Sequence, residues 1–468
     1  MQGITRRAWL GSVAAGAATT ALGTPRRARG ETPARRPPNI IFILADDLGY
    51  GDLGCYGQER IRTPRLDAMA SEGMRFTDAY AGSTVCAPSR CALMTGLHTG
   101  HCTVRGNKLV PLLPDDVTVA EVLRDAGYTT ALIGKWGLGE PETTGVPNRQ
   151  GFDYFFGYLN QRHAHNYYPD YLWRNEERVP IEGNVQSEKD GVAAQCAQYS
   201  HDLFTEDALR FTDAQGDKPF FLYLAYTIPH ANNERGHAEG NGMETPSDAP
   251  YSDEAWPQPQ KNHAAMITRL DRDVGRVLDR VRERGLAEDT LVFFSSDNGP
   301  HKEAGAAPNF FRSSGPVRGI KRDLYDGGIR VPFIVWGPSA VPAGATSDHV
   351  CAFWDFLPTA AELAGTTAPP GLDGVSFAPT LLDAADRQRR HEFLYWEFHE
   401  GGFNQAVRID HWKIVRPGTK APIEVYDVAS DIGETRDLAA DQPGLVRRAE
   451  ALFRDQRTDS AEWPVPQR

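Results

Sequence analysis

Positive charge is scarce in this chain of 468 residues: 50 Lys and Arg stand against 62 Asp and Glu, for a formal charge of −12. Residues 1–38 hold seven Arg and one Glu, so they contribute +6 and the remainder carries −18. A nucleic-acid surface needs excess Lys and Arg to displace counterions, so that class of partner is excluded. Cysteine is sparse too. Cys55, Cys86, Cys91, Cys102, Cys196 and Cys351 show no zinc-ligand spacing, and Cys86 to Cys91 is too wide for a redox C-x-x-C. The spacing assigns no disulfide. Beyond residue 22 no apolar run approaches the roughly 20 residues of a membrane span. Internal repeats and low-complexity tracts are also missing. What is left, 40% hydrophobic and 24% charged, has the composition of a folded protein.

The chain opens on an address. Thr5-Arg6-Arg7-Ala8-Trp9-Leu10 precedes a small and apolar run over residues 8–22, and basic, Pro-containing sequence follows. Residues 1–34 are therefore expected to be a twin-arginine export signal with a basic linker. The run is too short and too rich in Ala, Gly and Thr to span a bilayer. The mature protein is expected in the periplasm or secreted, without stable membrane insertion.

Strands and helices alternate through most of the chain. Apolar runs at 39–45, 129–133, 220–226, 291–296 and 331–336 predict buried strands. Helices are predicted at 63–75, 118–126, 201–214, 263–284 and 353–364, the first opening on Thr63-Pro64. Such alternation indicates an α/β fold with a large, mostly parallel sheet covered by helices on both faces. Past residue 382 the texture changes to short strands at 393–398, 406–415 and 423–428 and a final helix from about 445. That predicts a smaller C-terminal α+β subdomain with an antiparallel sheet, and boundaries at 38–382 and 383–468. Two long polar stretches, 139–199 and 227–262, are expected to be lids or substrate walls.

Ligands of parallel α/β sheets bind outside the carboxyl ends of the strands. Two of the apolar runs finish there in oxygen donors, Asp46-Asp47 and Asp297-Asn298. Either pair alone would be a turn former or a helix cap. Two such pairs after two buried strands make a metal site, and three carboxylates with an amide carbonyl suit Ca²⁺ or Mg²⁺ rather than zinc.

Cys86-Ala87-Pro88-Ser89-Arg90 resembles the C-x-P-x-R signature of the formylglycine-dependent sulfatases, members of the alkaline phosphatase superfamily. Leu93-Met94-Thr95-Gly96, Gly134-Lys135-Trp136, Pro229-His230, Asp297-Asn298-Gly299, and Lys321 followed by Tyr325-Asp326-Gly327-Gly328-Ile329-Arg330 follow in family order. The resemblance implies an alkaline-phosphatase-like sandwich and a reaction: hydrolysis of a sulfate monoester by a formylglycine hydrate formed from Cys86. It implies that Asp46, Asp47, Asp297, Asn298 and modified Cys86 hold Ca²⁺, with Mg²⁺ second. It further implies that Arg90 holds the hydrate, that Lys135 and Lys321 neutralise sulfate oxygens, and that His230 protonates the leaving alcohol. Cys86 precedes a helix-like segment whose positive end would favour an oxyanion there. Maturation would need a formylglycine-generating enzyme and the twin-arginine machinery.

One position departs from the pattern. Where many sulfatases have G-K-W-H-L-G, this chain reads Gly134-Lys135-Trp136-Gly137-Leu138-Gly139. The missing histidine leaves the base for sulfate release open, with His301 as a replacement or as a substrate contact. His163, His165, Asn166, Tyr167 and Tyr168 cluster in the first long polar stretch and are expected to form a wall for a sulfated carbohydrate. That texture resembles bacterial arylsulfatase and N-acetylgalactosamine-sulfatase-like enzymes. Two alternatives stand beside it: a phosphonate or phosphate monoester hydrolase of the same superfamily, and a non-catalytic glycan-binding protein with Cys86 unconverted.

Overall fold

A computed structural model describes residues 36–466, and the signal expected at 1–34 lies outside the described residues. Ten strands build the main sheet: β1 (Asn39–Asp46), β2 (Met74–Phe76), β3 (Thr129–Lys135), β4 (Tyr154–Tyr158), β5 (Tyr171–Arg174), β6 (Glu177–Pro180), β7 (Phe220–Pro229), β8 (Thr290–Ser296), β9 (Phe333–Trp336) and β10 (Ala345–Ser347). Their spatial order is β10-β2-β9-β8-β1-β7-β3-β4-β5-β6. The central block β8-β1-β7-β3-β4 is parallel. Antiparallel pairings attach β9 and β2 on one side, and β5 and β6 on the other.

β1 is buried at every position because both faces of the sheet are covered. Its two-residue period sends Ile41 and Ile43 toward the helices Pro64–Glu72, Ser200–Asp213 and Gln258–Glu283. Ile40, Phe42 and Leu44 pack instead with Cys86–Thr95, Val119–Asp125 and Phe356–Leu363. Phe42 meets Phe356 edge to face at 4.6 Å. Truncating one such aromatic to alanine costs about 3–5 kcal/mol, so the strand that ends in Asp46 is among the most firmly held parts of the molecule.

Several boundaries differ from expectation. The helix predicted at 63–75 stops at Glu72, because Gly73 breaks it and the chain enters β2 at once, between β10 and β9. The run at 406–415 is two strands, reversed at Asp410, which adopts a left-handed φ of 53°. The stretch 139–199 is not all lid: it supplies β4, β5 and β6. Its strands are short and its glycine-containing segment Y-F-F-G-Y lacks simple alternation, which hid them.

Four antiparallel strands form a second sheet: β11 (Leu394–Phe398), β12 (Asn404–Ile409), β13 (Trp412–Arg416) and β14 (Glu424–Asp427). One face, through Val407, Ile414 and Val425, takes Ala449 and Phe453 of the helix Pro443–Asp455. The other, through Trp396, Ala406 and Val415, packs on Tyr80, Val85 and Trp354. Lys413 on β13 donates to buried Asp326 (2.9 Å), which also accepts from Tyr80 (2.9 Å). The loop that begins at Lys321 is thereby fastened to the second sheet. Among the described residues no helix is long and apolar enough to cross a membrane.

Candidate active site

The parallel strands end nearly level, so their last residues converge. The Asp297 amide donates to Ala45 O (3.1 Å), which aligns the end of β8 with that of β1. β1 thus delivers Asp46 and Asp47, β8 delivers Asp297 and Asn298, β3 ends in Lys135, and His230 follows β7. All six are buried. Asp47 adopts φ of 64°, a conformation that costs a non-glycine residue about 1–3 kcal/mol and clusters at functional sites. Asp297 Oδ1, which accepts from the Asp47 amide (3.2 Å), and Ser296 Oγ, which accepts from the Leu48 amide (2.8 Å), hold it there.

Three cations face these three carboxylates. Arg90 donates to Asp297 Oδ2 through Nε (3.0 Å) and Nη2 (2.7 Å), to Asp46 Oδ2 (3.1 Å) and to Lys135 O (2.7 Å). Lys135 Nζ donates to Asp46 Oδ2 (2.6 Å), and Lys321 Nζ to Asp47 Oδ2 (2.9 Å). Stripping one partner from a fully buried pair costs about 3–5 kcal/mol, so Arg90 locks the Cys86 helix to both ligand strands. Burial would raise the Asp46 carboxyl, but Lys135 foremost outweighs it and holds Asp46 below the usual range. Asp297 goes the other way: burial and then Asp46 push it up to about 6 despite Arg90.

The donor chemistry fits a hard divalent cation. Asn298 spends its amide nitrogen on Asp47 Oδ1 (2.7 Å) and Gly299 O (2.9 Å), while its carbonyl Oδ1 is buried with no partner among the described residues. A buried oxygen that can only accept needs a donor or a cation. Ligand atoms of Asp46, Asp47, Cys86 and His230 lie within 4.8 Å of one another. A cation would also relieve the repulsion that lifts Asp297. With Asp297 and Asn298 beside them, oxygen donors are four of the six, as Ca²⁺ or Mg²⁺ requires.

Cys86 is the first residue of the helix Cys86–Thr95, and its Sγ donates to Asp46 Oδ1 (3.3 Å). Burial and then Asp46 raise the thiol well above its ordinary pKa, so it stays neutral. His230 donates from Nδ1 to Ala231 O (2.7 Å), leaving Nε2 to accept from Lys321 Nζ (3.1 Å). Burial and then Lys321 hold His230 down at about 3.

His230 is sandwiched in a column of imidazoles. His165 stacks on it at 4.8 Å and His301 at 5.8 Å. His165 is fixed by Glu234 (3.0 Å). His301 accepts from the Glu303 amide at Nδ1 (3.1 Å) and points Nε2 at Pro229 O (3.3 Å). His163 is placed apart, against Tyr158 and Tyr171 at 5.0 and 4.5 Å, and burial brings it down to about 4. Tyr167 is buried and donates to the carbonyl of Thr227 (2.8 Å), so part of the expected wall is scaffold. At Gly137, φ is 80° and a Cβ would lie 2.3 Å from Gln161 Nε2. The Gln161 amide thus fills the space of the absent histidine, and an amide cannot serve as a base at neutral pH.

Two contributors had no visible signal in the sequence, and a third was visible only as part of a motif. Glu303 faces Lys321 (3.4 Å) and ion-pairs with Arg322, yet it lies in an ordinary polar loop. Asn107 Oδ1 accepts from the Ala87 amide (3.1 Å), which steadies the turn that begins the Cys86 helix. Asp326 lies in the Y-D-G-G-I-R run, but its role as the anchor for Lys413 needs a partner 87 residues away.

A family model described as sulfatase matches residues 38–366, and one described as N-sulphoglucosamine sulphohydrolase, C-terminal, matches 320–450. Arylsulfatase A of Homo sapiens is 36% identical over 389 residues, 77% of this chain and 71% of that protein. N-acetylgalactosamine-6-sulfatase of Sus scrofa is 32% identical over 388 residues, 77% of this chain and 69% of that protein. Among solved structures, Ps i-CgsB in complex with k-i-k-neocarrahexaose superposes with a TM-score of 0.76 at 29% identity, covering 90% of this chain and 94% of that one. The sulfatase match runs without a break from β1 past Lys321, across every strand end that meets in this pocket, and on that ground the chain belongs to the sulfatase family, hydrolases of sulfuric esters.

Proposed function

We propose that this sulfatase hydrolyses sulfate monoesters of a carbohydrate, with Cys86 converted to formylglycine and Ca²⁺ held by Asp46, Asp47, Asp297, Asn298 and the converted Cys86. One observation carries the proposal: the Cys86 side chain lies 3.3 Å from Asp46 inside the carboxylate cluster, where its own thiol is neutral and a poor nucleophile. Conversion to an aldehyde hydrate would supply hydroxyls at that point, and bound calcium would supply positive charge for a sulfate oxygen.

The protein's own groups do the rest. Arg90, Lys135 and Lys321 match Asp46, Asp47 and Asp297 charge for charge, so a divalent cation leaves the pocket positive within an acidic protein. That local charge draws in an anionic ester. Lys135 and Lys321 stand ready to neutralise charge developing on the sulfate oxygens. The leaving alcohol takes its proton from the Lys321–His230 pair, since the ammonium already donates to Nε2. His301 is a substrate contact, because its Nδ1 lone pair already accepts from Glu303. His165 lines the pocket beside His230. The carbohydrate substrate is supported by the neocarrahexaose named with Ps i-CgsB. Export by the twin-arginine route, removal of the signal between about residues 23 and 34, and a periplasmic or secreted location complete the proposal, supported by Arg6-Arg7 and the apolar run that follows.

Rates on 4-nitrophenyl sulfate and on a 4-nitrophenyl phosphonate ester test the reaction class, and a preference for the phosphonate would replace sulfatase by phosphonate hydrolase. His230→Ala tests the proton donor. A proton matters most when the departing oxygen is basic, so kcat/KM on a sugar sulfate should fall about 10²–10⁴-fold while 4-nitrophenyl sulfate loses far less. Equal losses on both would remove His230 from that role.

A further inference from the structure

Beside the pocket runs a groove of about 530 Å³, a volume in the range of ligand-binding clefts. Its walls are the segments 302–309 and 312–320. Lys302 follows His301 and Ile320 precedes Lys321, and the Lys321 amide donates to Pro300 O (2.9 Å), so the two walls are tied together at the pocket. The groove therefore lies beside the residues that would hold sulfate.

The groove is positively charged. Lys302 and Arg312 line it, and no Asp or Glu does. Both are exposed, and neither side chain has a hydrogen-bond or ion-pair partner among the described residues. By contrast Arg322, next to Lys321, is taken by Glu303 and Glu400 (3.3 Å). Arg312 is displayed by a left-handed residue, φ 55°, that ends the short helix Pro308–Phe311. The Asn309 side chain, also without a partner among the described residues, adds an amide to the same wall.

We infer that this groove is a subsite for the rest of a polyanionic glycan, with Lys302 and Arg312 holding a sulfate or carboxylate beyond the ester being cleaved. The inference rests on the sulfatase proposal and narrows its substrate to oligosaccharides with more than one anionic group. Two exposed cations on one side of a cleft steer and hold such a chain, and salt screens them.

The test uses 4-nitrophenyl sulfate turnover as reporter and a heparin hexasaccharide as competing probe. In the Lys302→Gln, Arg312→Gln double variant, the inhibition constant of the hexasaccharide should rise about tenfold, the sum of two exposed charge contacts. kcat/KM for 4-nitrophenyl sulfate should stay within about twofold, since neither side chain touches the catalytic groups. The wild-type inhibition should weaken steeply with salt and that of the variant only shallowly. An unchanged inhibition constant, or no inhibition of the wild type, would overturn the subsite and leave the sulfatase proposal standing. Failure of the wild type to hydrolyse 4-nitrophenyl sulfate would instead sink the sulfatase proposal. Hexasaccharide binding to the two proteins, followed by titration calorimetry, would then still decide the groove.

Discussion

Cys86→Ser is expected to take sulfate from one equivalent of substrate and then stop. The serine hydroxyl would stand where the Cys86 thiol now does, at the start of its helix and beside Asp46. Arg90, Lys135 and Lys321 are untouched by the change, so an ester can still be bound and its sulfur attacked, at a much reduced rate. A formylglycine hydrate carries two hydroxyls on one carbon: after one has attacked sulfur, the other can lose its proton and collapse to the aldehyde, expelling sulfate. Serine has only one, so that exit is closed. Steady-state turnover should fall by about 10³-fold or more, with alcohol release limited to one equivalent. Intact-protein mass after incubation with substrate should show the sulfated enzyme. Sustained turnover without an adduct would mean that water cleaves a simple ester, and the hydrate mechanism would be wrong.

Stripping divalent cations should reduce turnover to below about one hundredth, because a Lewis acid at the sulfate oxygen is worth several kcal/mol. The protein's own groups give the reason. With no cation, Asp46, Asp47 and Asp297 are left to Arg90, Lys135 and Lys321, and Asp297 is lifted to about 6 by burial and by Asp46. The carbonyl of Asn298 stays unpartnered. Ca²⁺ should restore activity and raise the thermal midpoint in proportion to the logarithm of its concentration above Kd, since a ligand that binds only the native state stabilises it by mass action. Zn²⁺ should do neither as well, because its preferred nitrogen and sulfur donors are not free here: His230 Nε2 is engaged by Lys321, and a converted Cys86 offers oxygen in place of sulfur. Better rescue by Zn²⁺ than by Ca²⁺ would overturn the ligand assignment.

The sheet was legible where burial on both faces wrote long apolar runs, as in β1, β7 and β8. It was obscure where strands are short: β4 to β6 carry mixed residues, and the place of β4 beside β3 depends on Gly157, whose Cβ would meet Gly134 O at 1.8 Å. The ligand pairs were visible because each sits immediately after such a run. Contacts supplied across the chain were not. Glu303, Asn107 and Asp326 act through partners that no local pattern announces. The histidine-rich stretch 163–168 showed the opposite difficulty, since one texture serves two ends: His165 stacks on His230, while His163 packs against Tyr158 and Tyr171. Only the positions of Glu234 and Asn160 separate them, by fixing His165 through its ring and His163 through its backbone.

The central claim is that Cys86 becomes the catalytic group, and its most direct test is the mass of the peptide from Phe76 to Arg90 released by trypsin. Protein produced with a formylglycine-generating enzyme should show, at Cys86, loss of the sulfur and two hydrogens and gain of one oxygen. Hydrolysis of 4-nitrophenyl sulfate should scale in direct proportion with the converted fraction across preparations. Full activity in chains whose Cys86 retains its thiol would contradict the account.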